Sequence, residues 1–311
     1  MPDAKTNASA AASQLSTIRD FLRWALSEFR AAKIAHGHGT TSATDEAAFL
    51  ILETLHLPVD DINPWLDATL LDSERQALAG IIRRRIETRM PAAYLVQRAY
   101  IHGVPFYVDE RVIVPRSYIG ELMCTGLFGG EDAPLIEDVS QVTSVLDLCT
   151  GSGCLAILAA GIFTEAEVDA ADLSADALDV ARINVEDHEV TERVHLMQGD
   201  LFEAVDGRTY DLIISNPPYV AGPEVHAFPP EYGHEPVMAH IGGEDGLDIV
   251  RRILEEAADH LNPGGALLCE IGTGRDLLVA EYPHLDFLWL DTEESQGEVF
   301  WITREQLLGQ D

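Results

Sequence analysis

Asn216-Pro217-Pro218-Tyr219 is the run of this 311-residue chain that most narrows its chemistry. It follows Ile213-Ile214-Ser215, an apolar run of buried-strand type, so the motif leaves the carboxyl end of a strand. Two prolines fix φ and remove N–H donors, which sets the loop's shape and leaves its carbonyls uncontested. The Asn216 side-chain carbonyl and the Pro217 main-chain carbonyl can each accept one N–H of a planar amino or amide group. Held that way, a delocalised nitrogen lone pair turns toward an electrophile, and alignment supplies much of the rest. Tyr219 offers a flat face for stacking. A Pro-Pro turn with Tyr219 in the core explains this run in isolation. It does not explain the glycine-rich segment sixty-odd residues earlier.

That segment, Asp147-Leu148-Cys149-Thr150-Gly151-Ser152-Gly153-Cys154, closes one strand and opens a helix. Its glycines let backbone approach a ligand, and the helix start offers free N–H groups. The third glycine of a dinucleotide fingerprint is missing, and no Lys-Ser/Thr follows as in a P-loop. An acid at the strand end suits a cationic sulfonium better than pyrophosphate. Asp172 ends the next strand, twenty-five residues after Asp147, where a carboxylate can accept both hydroxyls of a ribose. Ser174 could cap the following helix, making Asp172 a helix-start acid, and Asp169 is the rival ligand; Asp172 is preferred for its place at the strand's end. Asp200 and Leu201, after Gly199, fall where an adenine would lie. The set predicts a site for S-adenosylmethionine built from Asp147, Cys149, Thr150, Gly151, Ser152, Gly153, Asp172, Asp200 and Leu201, with Asn216 reaching it from the catalytic motif Asn216, Pro217, Pro218 and Tyr219.

Both motifs need a sheet to hold them. From Val142 the pattern alternates, with strands expected at Val145–Leu148, Val168–Asp172, Val194–Gln198, Asp211–Ser215, Ala266–Ile271, Phe287–Leu290 and Val299–Ile302. Helices fit Cys154–Ile162, Ala175–Glu186 and Gly246–Leu261. This predicts an α/β, Rossmann-like, doubly wound parallel sheet of seven strands ending in an antiparallel pair, the class I methyltransferase architecture. Before it, residues 15–93 read as a helical domain for substrate recognition, with stripes over Leu15–Phe29, Ala47–Leu55 (after Thr44 as N-cap) and, after Ser73, Ala77–Ile86. Residues 94–120 read as a β-hairpin linker with short strands around Tyr100–Ile101, Phe106–Val108 and Val112–Val114. Residues 1–14 read as a disordered tail and 121–311 as the catalytic domain.

Composition bounds the partners. Fifty-three acidic against twenty basic residues leave a formal charge of −33. That repels nucleic-acid backbones and attracts basic proteins. A salt-rich cytoplasm and the steering of a basic protein substrate both account for it. No run of eighteen apolar residues suggests a membrane span, and no secretory signal is visible. Four scattered cysteines fit reduced thiols in a cytoplasmic protein. No metal is expected: His36-Gly37-His38-Gly39-Thr40 reads as a turn. Arg83-Arg84-Arg85 reads as a solvated helix face, with a ribosomal RNA contact as its second reading.

From about Ala93 to Thr303 the chain resembles the glutamine methyltransferases that modify translation proteins. The resemblance rests on Phe106–Arg116, the glycine loop, Asn216–Tyr219, His234-Glu235-Pro236 and Gly242–Leu247. Pro115-Arg116-Ser117-Tyr118-Ile119-Gly120-Glu121-Leu122 is similar to the branch acting on ribosomal large-subunit protein 3, as are Ala35–Thr40 and Cys149. Tyr118 departs from it, since that branch usually has proline there. The resemblance implies methyl transfer to a glutamine side-chain nitrogen on that protein. Asn216 and Pro217 would hold the amide, Tyr219 would pack against it, and Thr150–Gly153 with Asp172 would hold the cofactor. A release-factor glutamine is the close alternative. A DNA adenine is a further one, disfavoured by the charge.

Overall fold

The computed structural model describes residues 4–130, 134–225, 227–292 and 295–310. Its elements fall into two units, each with its own core. The first takes the chain through Ala99 together with Val108–Glu110 and Phe228–His234. The contiguous split expected from sequence does not describe this, because Glu231 and Tyr232 of the third segment are bonded and stacked among the N-terminal helices.

The first unit holds helices α1 (Ala4–Gln14), α2 (Ile18–Ala32), α3 (Ala43–Thr54), α4 (Asp72–Thr88) and α5 (Ala92–Val96). Phe21, Phe29, Leu50, Ile51, Leu78 and Ile82 fill its core. Helix α2 starts at a capping box: Asp20 N–H donates to Thr17 Oγ1 and Thr17 N–H to the Asp20 carboxylate. Helix α3 is capped by Ser42 rather than Thr44. The tail expected to be disordered is instead helical over Ala4–Gln14, because Ala8 and Ala11 are small enough to let α1 close on α4. Its first three residues lie outside the described ones. Arg85, expected on a solvated face, is fully buried: its guanidinium donates to Glu46 and to the carbonyls of Ala35 and Arg89. Arg84 is exposed and Arg83 half-buried, so only two of the three arginines face outward.

The second unit starts with a two-stranded sheet, β1 (Ala99–Ile101) and β2 (Val104–Phe106), then α6 (Tyr118–Cys124). Residues 107–117, between β2 and α6, are irregular: the strand expected over Val112–Val114 does not form, and the one expected over Phe106–Val108 ends at Phe106. Val114 N–H donates to the Glu235 carboxylate instead of to a strand neighbour. There follow β3 (Ser144–Leu148), α7 (Cys154–Ile162), β4 (Glu167–Asp172), α8 (Ala175–Asp187), β5 (Val194–Gln198), β6 (Tyr210–Ser215), α9 (Gly222–Val225), α10 (Asp248–Glu256), β7 (Leu261–Glu270), α11 (Arg275–Glu281), β8 (Leu288–Asp291), β9 (Gln296–Thr303) and α12 (Arg304–Leu307). All seven expected strands join one sheet in the order β5-β4-β3-β6-β7-β9-β8, with β9 alone antiparallel. Apolar clusters cover both faces. Helix α10 starts two residues later than expected. Gly246 (φ 89°) lies so close to the Tyr219 carbonyl that a Cβ there would sit 2.4 Å from it.

Strand order reverses between β3 and β6. The chain winds outward through β4 and β5, then returns to the other side of β3. Such a switch point opens a crevice at the strands' carboxyl ends. Leu148 pairs with Ser215, so Cys149 and Asn216 leave the sheet side by side.

Candidate active site

The crevice is a cavity of about 270 Å³ walled by Cys149, Gly151, Asp172, Asp200, Leu201, Asn216 and Pro218. Leu173, Ala177 and Ile249 add apolar wall. Val112 and Ile113 form one lip, Met238 and Ile241 the other.

Asp172 anchors the floor. One oxygen accepts from Gly151 N–H (2.9 Å), the other from Ser174 N–H (2.8 Å), and burial raises its carboxyl above the usual range. Each oxygen keeps lone-pair capacity for a hydroxyl. Its rival Asp169 is engaged elsewhere, accepting from Tyr210 Oη at 2.7 Å and Arg208 at 2.6 Å. Asp200 also reaches the cavity, where Arg252 donates to it at 3.0 Å. Cys149 and Leu201 line the wall with φ of 60° and 51°.

Asp147, Thr150, Ser152 and Gly153 do not line the cavity. Asp147 is fully buried behind the loop, accepting from Thr150 Oγ1 at 2.5 Å and from Ala156 N–H at 3.1 Å on one oxygen. Its other oxygen has no donor among the described residues. Burial pushes its carboxyl up to about 7. Gly153 turns the chain at φ 79°, and a Cβ there would sit 3.2 Å from the Ala181 Cβ, so glycine lets the start of α7 pack tightly on α8. Asn184 of α8 donates to Ser152 O and Tyr107 O. These residues shape the loop rather than face the cavity.

The catalytic motif divides likewise. Asn216 and Pro218 line the cavity; Pro217 and Tyr219 do not. Ser215 Oγ donates to Leu148 O at 3.0 Å and locks the two loop bases together. Among the described residues nothing donates to the Asn216 side chain or to Pro217 O, so two acceptors stand open. Pro218 O and Tyr219 Cα lie within 2.8 Å of where a Cβ on Gly242 would be, so 240–246 packs flat along the motif. Gly242 N–H donates to Val220 O, and Val220 N–H to His240 O.

Five residues that the sequence leaves without a role, Glu270, Ser117, Glu235, Arg116 and His240, brace the site. Glu270, ending β7 beside Asn216, accepts from Tyr219 Oη at 2.9 Å and, on its other oxygen, from Ser117 Oγ at 2.7 Å. Glu235 is buried and takes a bidentate fork from Arg116 (2.7 and 2.9 Å) and the Val114 N–H. His240 Nε2 lies 3.1 Å from it. Glu235 thereby fastens one lip of the cavity to the other. The signal for Glu270 was present: an acid ending an apolar run that had to neighbour the motif's strand.

The donor set fits S-adenosylmethionine. A carboxylate with spare acceptor capacity stands where a ribose would lie, apolar walls where an adenine would, and Gly151 leaves open space above its Cα.

Residues 133–228 match the family model described as Methyltransferase small domain. The chain is 53% identical over 295 residues to the ribosomal protein uL3 glutamine methyltransferase of Bradyrhizobium diazoefficiens, covering 94% of this chain and 92% of that one. It is 54% identical over 301 residues to the protein of that name from Neisseria meningitidis serogroup B, covering 97% of each.

Proposed function

Because this chain belongs to the family of the ribosomal protein uL3 glutamine methyltransferases, we propose that it methylates the side-chain amide nitrogen of a glutamine on uL3. S-adenosylmethionine, when bound, supplies a methyl group activated by a sulfonium charge. The chain supplies position. Asp172 takes the ribose hydroxyls; Asp200 and Leu201 flank the adenine. Asn216 Oδ1 and Pro217 O accept the two N–H bonds of the glutamine amide and hold its nitrogen lone pair toward the cavity. Pro218 excludes water from the cavity side of the loop. The methylated nitrogen sheds one proton, for which acceptor oxygens suffice and no strong base is required.

The observation that carries this reading is a pair of open acceptors on adjacent residues, the first of them, Asn216, in the wall of a cavity that also presents Asp172. We assign recognition of uL3 to the helical unit, which has no chemistry of its own. The strong negative charge favours uL3 as a free basic protein in the cytoplasm over uL3 wrapped in RNA, since phosphate backbones are repelled.

A labelled-methyl transfer assay offering purified uL3, release factor and DNA side by side tests the reading. Label should enter uL3 alone. Asn216→Ala should lower kcat on uL3 by about a hundredfold or more, the scale of a lost transition-state contact, while calorimetric binding of S-adenosylmethionine persists. Label on release factor or DNA in place of uL3 would overturn the substrate.

A further inference from the structure

Glu270 is fully buried, yet among the described residues no ion pair compensates it. A carboxylate in such a place is costly unless donors surround it. Here they do. Oε1 accepts from Tyr219 Oη (2.9 Å); Oε2 accepts from Ser117 Oγ (2.7 Å) and from Tyr118 N–H (2.9 Å). Ser117 is also the N-cap of α6, accepting from Ile119 N–H at 3.2 Å. One carboxylate therefore joins the end of β7, the catalytic loop and the start of α6.

Its place follows from the register. Ser215 pairs with Cys269, so Asn216 and Glu270 emerge from adjacent parallel strands at the same height. Two residues further on, Gly272 takes φ 55°, and a Cβ there would lie 2.7 Å from Cδ2 of the Tyr219 ring. The ring is thus seated at its edge by Gly272 and at its hydroxyl by Glu270. Its own carbonyl is closely approached by Gly246. Tyr118, the departure noted in the sequence, gains meaning: its N–H is a donor to Glu270 that a proline would lack.

We propose that Glu270 is a positioning residue for methyl transfer: by accepting from Tyr219, Ser117 and Tyr118 it fixes the loop that carries the Asn216 and Pro217 acceptors. The phenol commits its proton to Glu270 and cannot offer it to those acceptors, which stay open for the substrate amide. The inference rests on Asn216 and Pro217 as the amide-holding pair. Glu270 itself touches neither substrate nor cofactor.

A double-mutant cycle on the full chain tests it, with wild type, Tyr219→Phe, Glu270→Gln and the double variant assayed on uL3. Each single change should lower kcat about tenfold, the scale of one hydrogen bond to a charged group, with KM for S-adenosylmethionine changed less than about twofold. The double variant should lose clearly less than the product of the two single losses, the Ser117 and Tyr118 contacts accounting for what it loses beyond Tyr219→Phe. Losses that multiply, or an unchanged kcat in Glu270→Gln, overturn the proposal. Ser117→Ala, which deletes one hydroxyl, gives a second measure: its loss should fall on kcat and not on KM, and a loss in KM alone counts against the proposal. A spectroscopic arm works without substrate. The ultraviolet difference spectrum of wild type minus Tyr219→Phe reports that ring, and it should shift to shorter wavelength when Glu270 becomes Gln. An unshifted spectrum overturns the contact whatever the assay gives, whereas a wild type inactive on uL3 with a shifted spectrum condemns the substrate and not Glu270.

Discussion

Asp147 shows how one residue can be legible in its importance and not in its role. An acid before the glycine turn suits a sulfonium partner, but its side chain points behind the loop and holds Thr150 and the start of α7. Burial keeps its proton on up to about pH 7, while an ordinary aspartate releases it near 3.8. The folded state then binds more protons across that window, so this group's contribution to stability is complete below it and lost as pH rises through about 7. Asp147→Asn keeps an acceptor for both donors and removes the titration. The variant's Tm relative to wild type should climb between about pH 4 and 7 and stay level above; a pH-independent gap would argue that Asp147 is already ionised. Asp172 and Asn216 were legible because strand ends point them into a crevice whatever the detail. Glu235 and Arg116 were not, because their meeting depends on two irregular loops whose sequences carry no period.

The strands and the long helices announced themselves by period: β5 and α7 have the bounds expected, and the other strands of the large sheet differ by a few residues at their ends. What the pattern could not give was the course of 107–117, where Val112-Ile113-Val114 looks like a strand but the Val114 N–H serves a carboxylate. That loop and the 235–241 loop face each other through Glu235, and the clasp can be opened without touching the cavity wall. Glu235→Gln leaves Arg116 with a neutral partner and one misplaced donor, so calorimetry should find S-adenosylmethionine bound about tenfold more weakly, with far-UV circular dichroism unchanged. Equal affinity would show that the lips are held by packing alone. Gly272→Ala probes the other side of the site. It forces a methyl group into the Tyr219 ring at a left-handed φ, and should cost about 1–3 kcal/mol in urea unfolding along with most of kcat.

For the molecule as a whole, charge is the dominant long-range term. Fifty-three acids against twenty bases repel one another, and added salt screens that repulsion. Raising sodium chloride from about 0.05 to 0.5 M, which shortens the Debye length from well over 10 Å to a few ångströms, should raise Tm. The same change should lower kcat/KM for uL3 if attraction steers the encounter. A rise in Tm with kcat/KM untouched would assign the acidity to the solvent rather than to the substrate. The chain's own path bears on how such a protein can be cut and recombined. Its helical unit is assembled from three stretches, the last of them seven residues drawn from just past the catalytic loop, with Glu231 accepting from Arg89 and the Ala35 N–H. Neither half is therefore a cassette. A graft of the N-terminal helices onto another member's catalytic half carries a mismatched insert unless residues 228–234 travel with them, and those seven residues should co-vary with the helices and not with the cofactor loop.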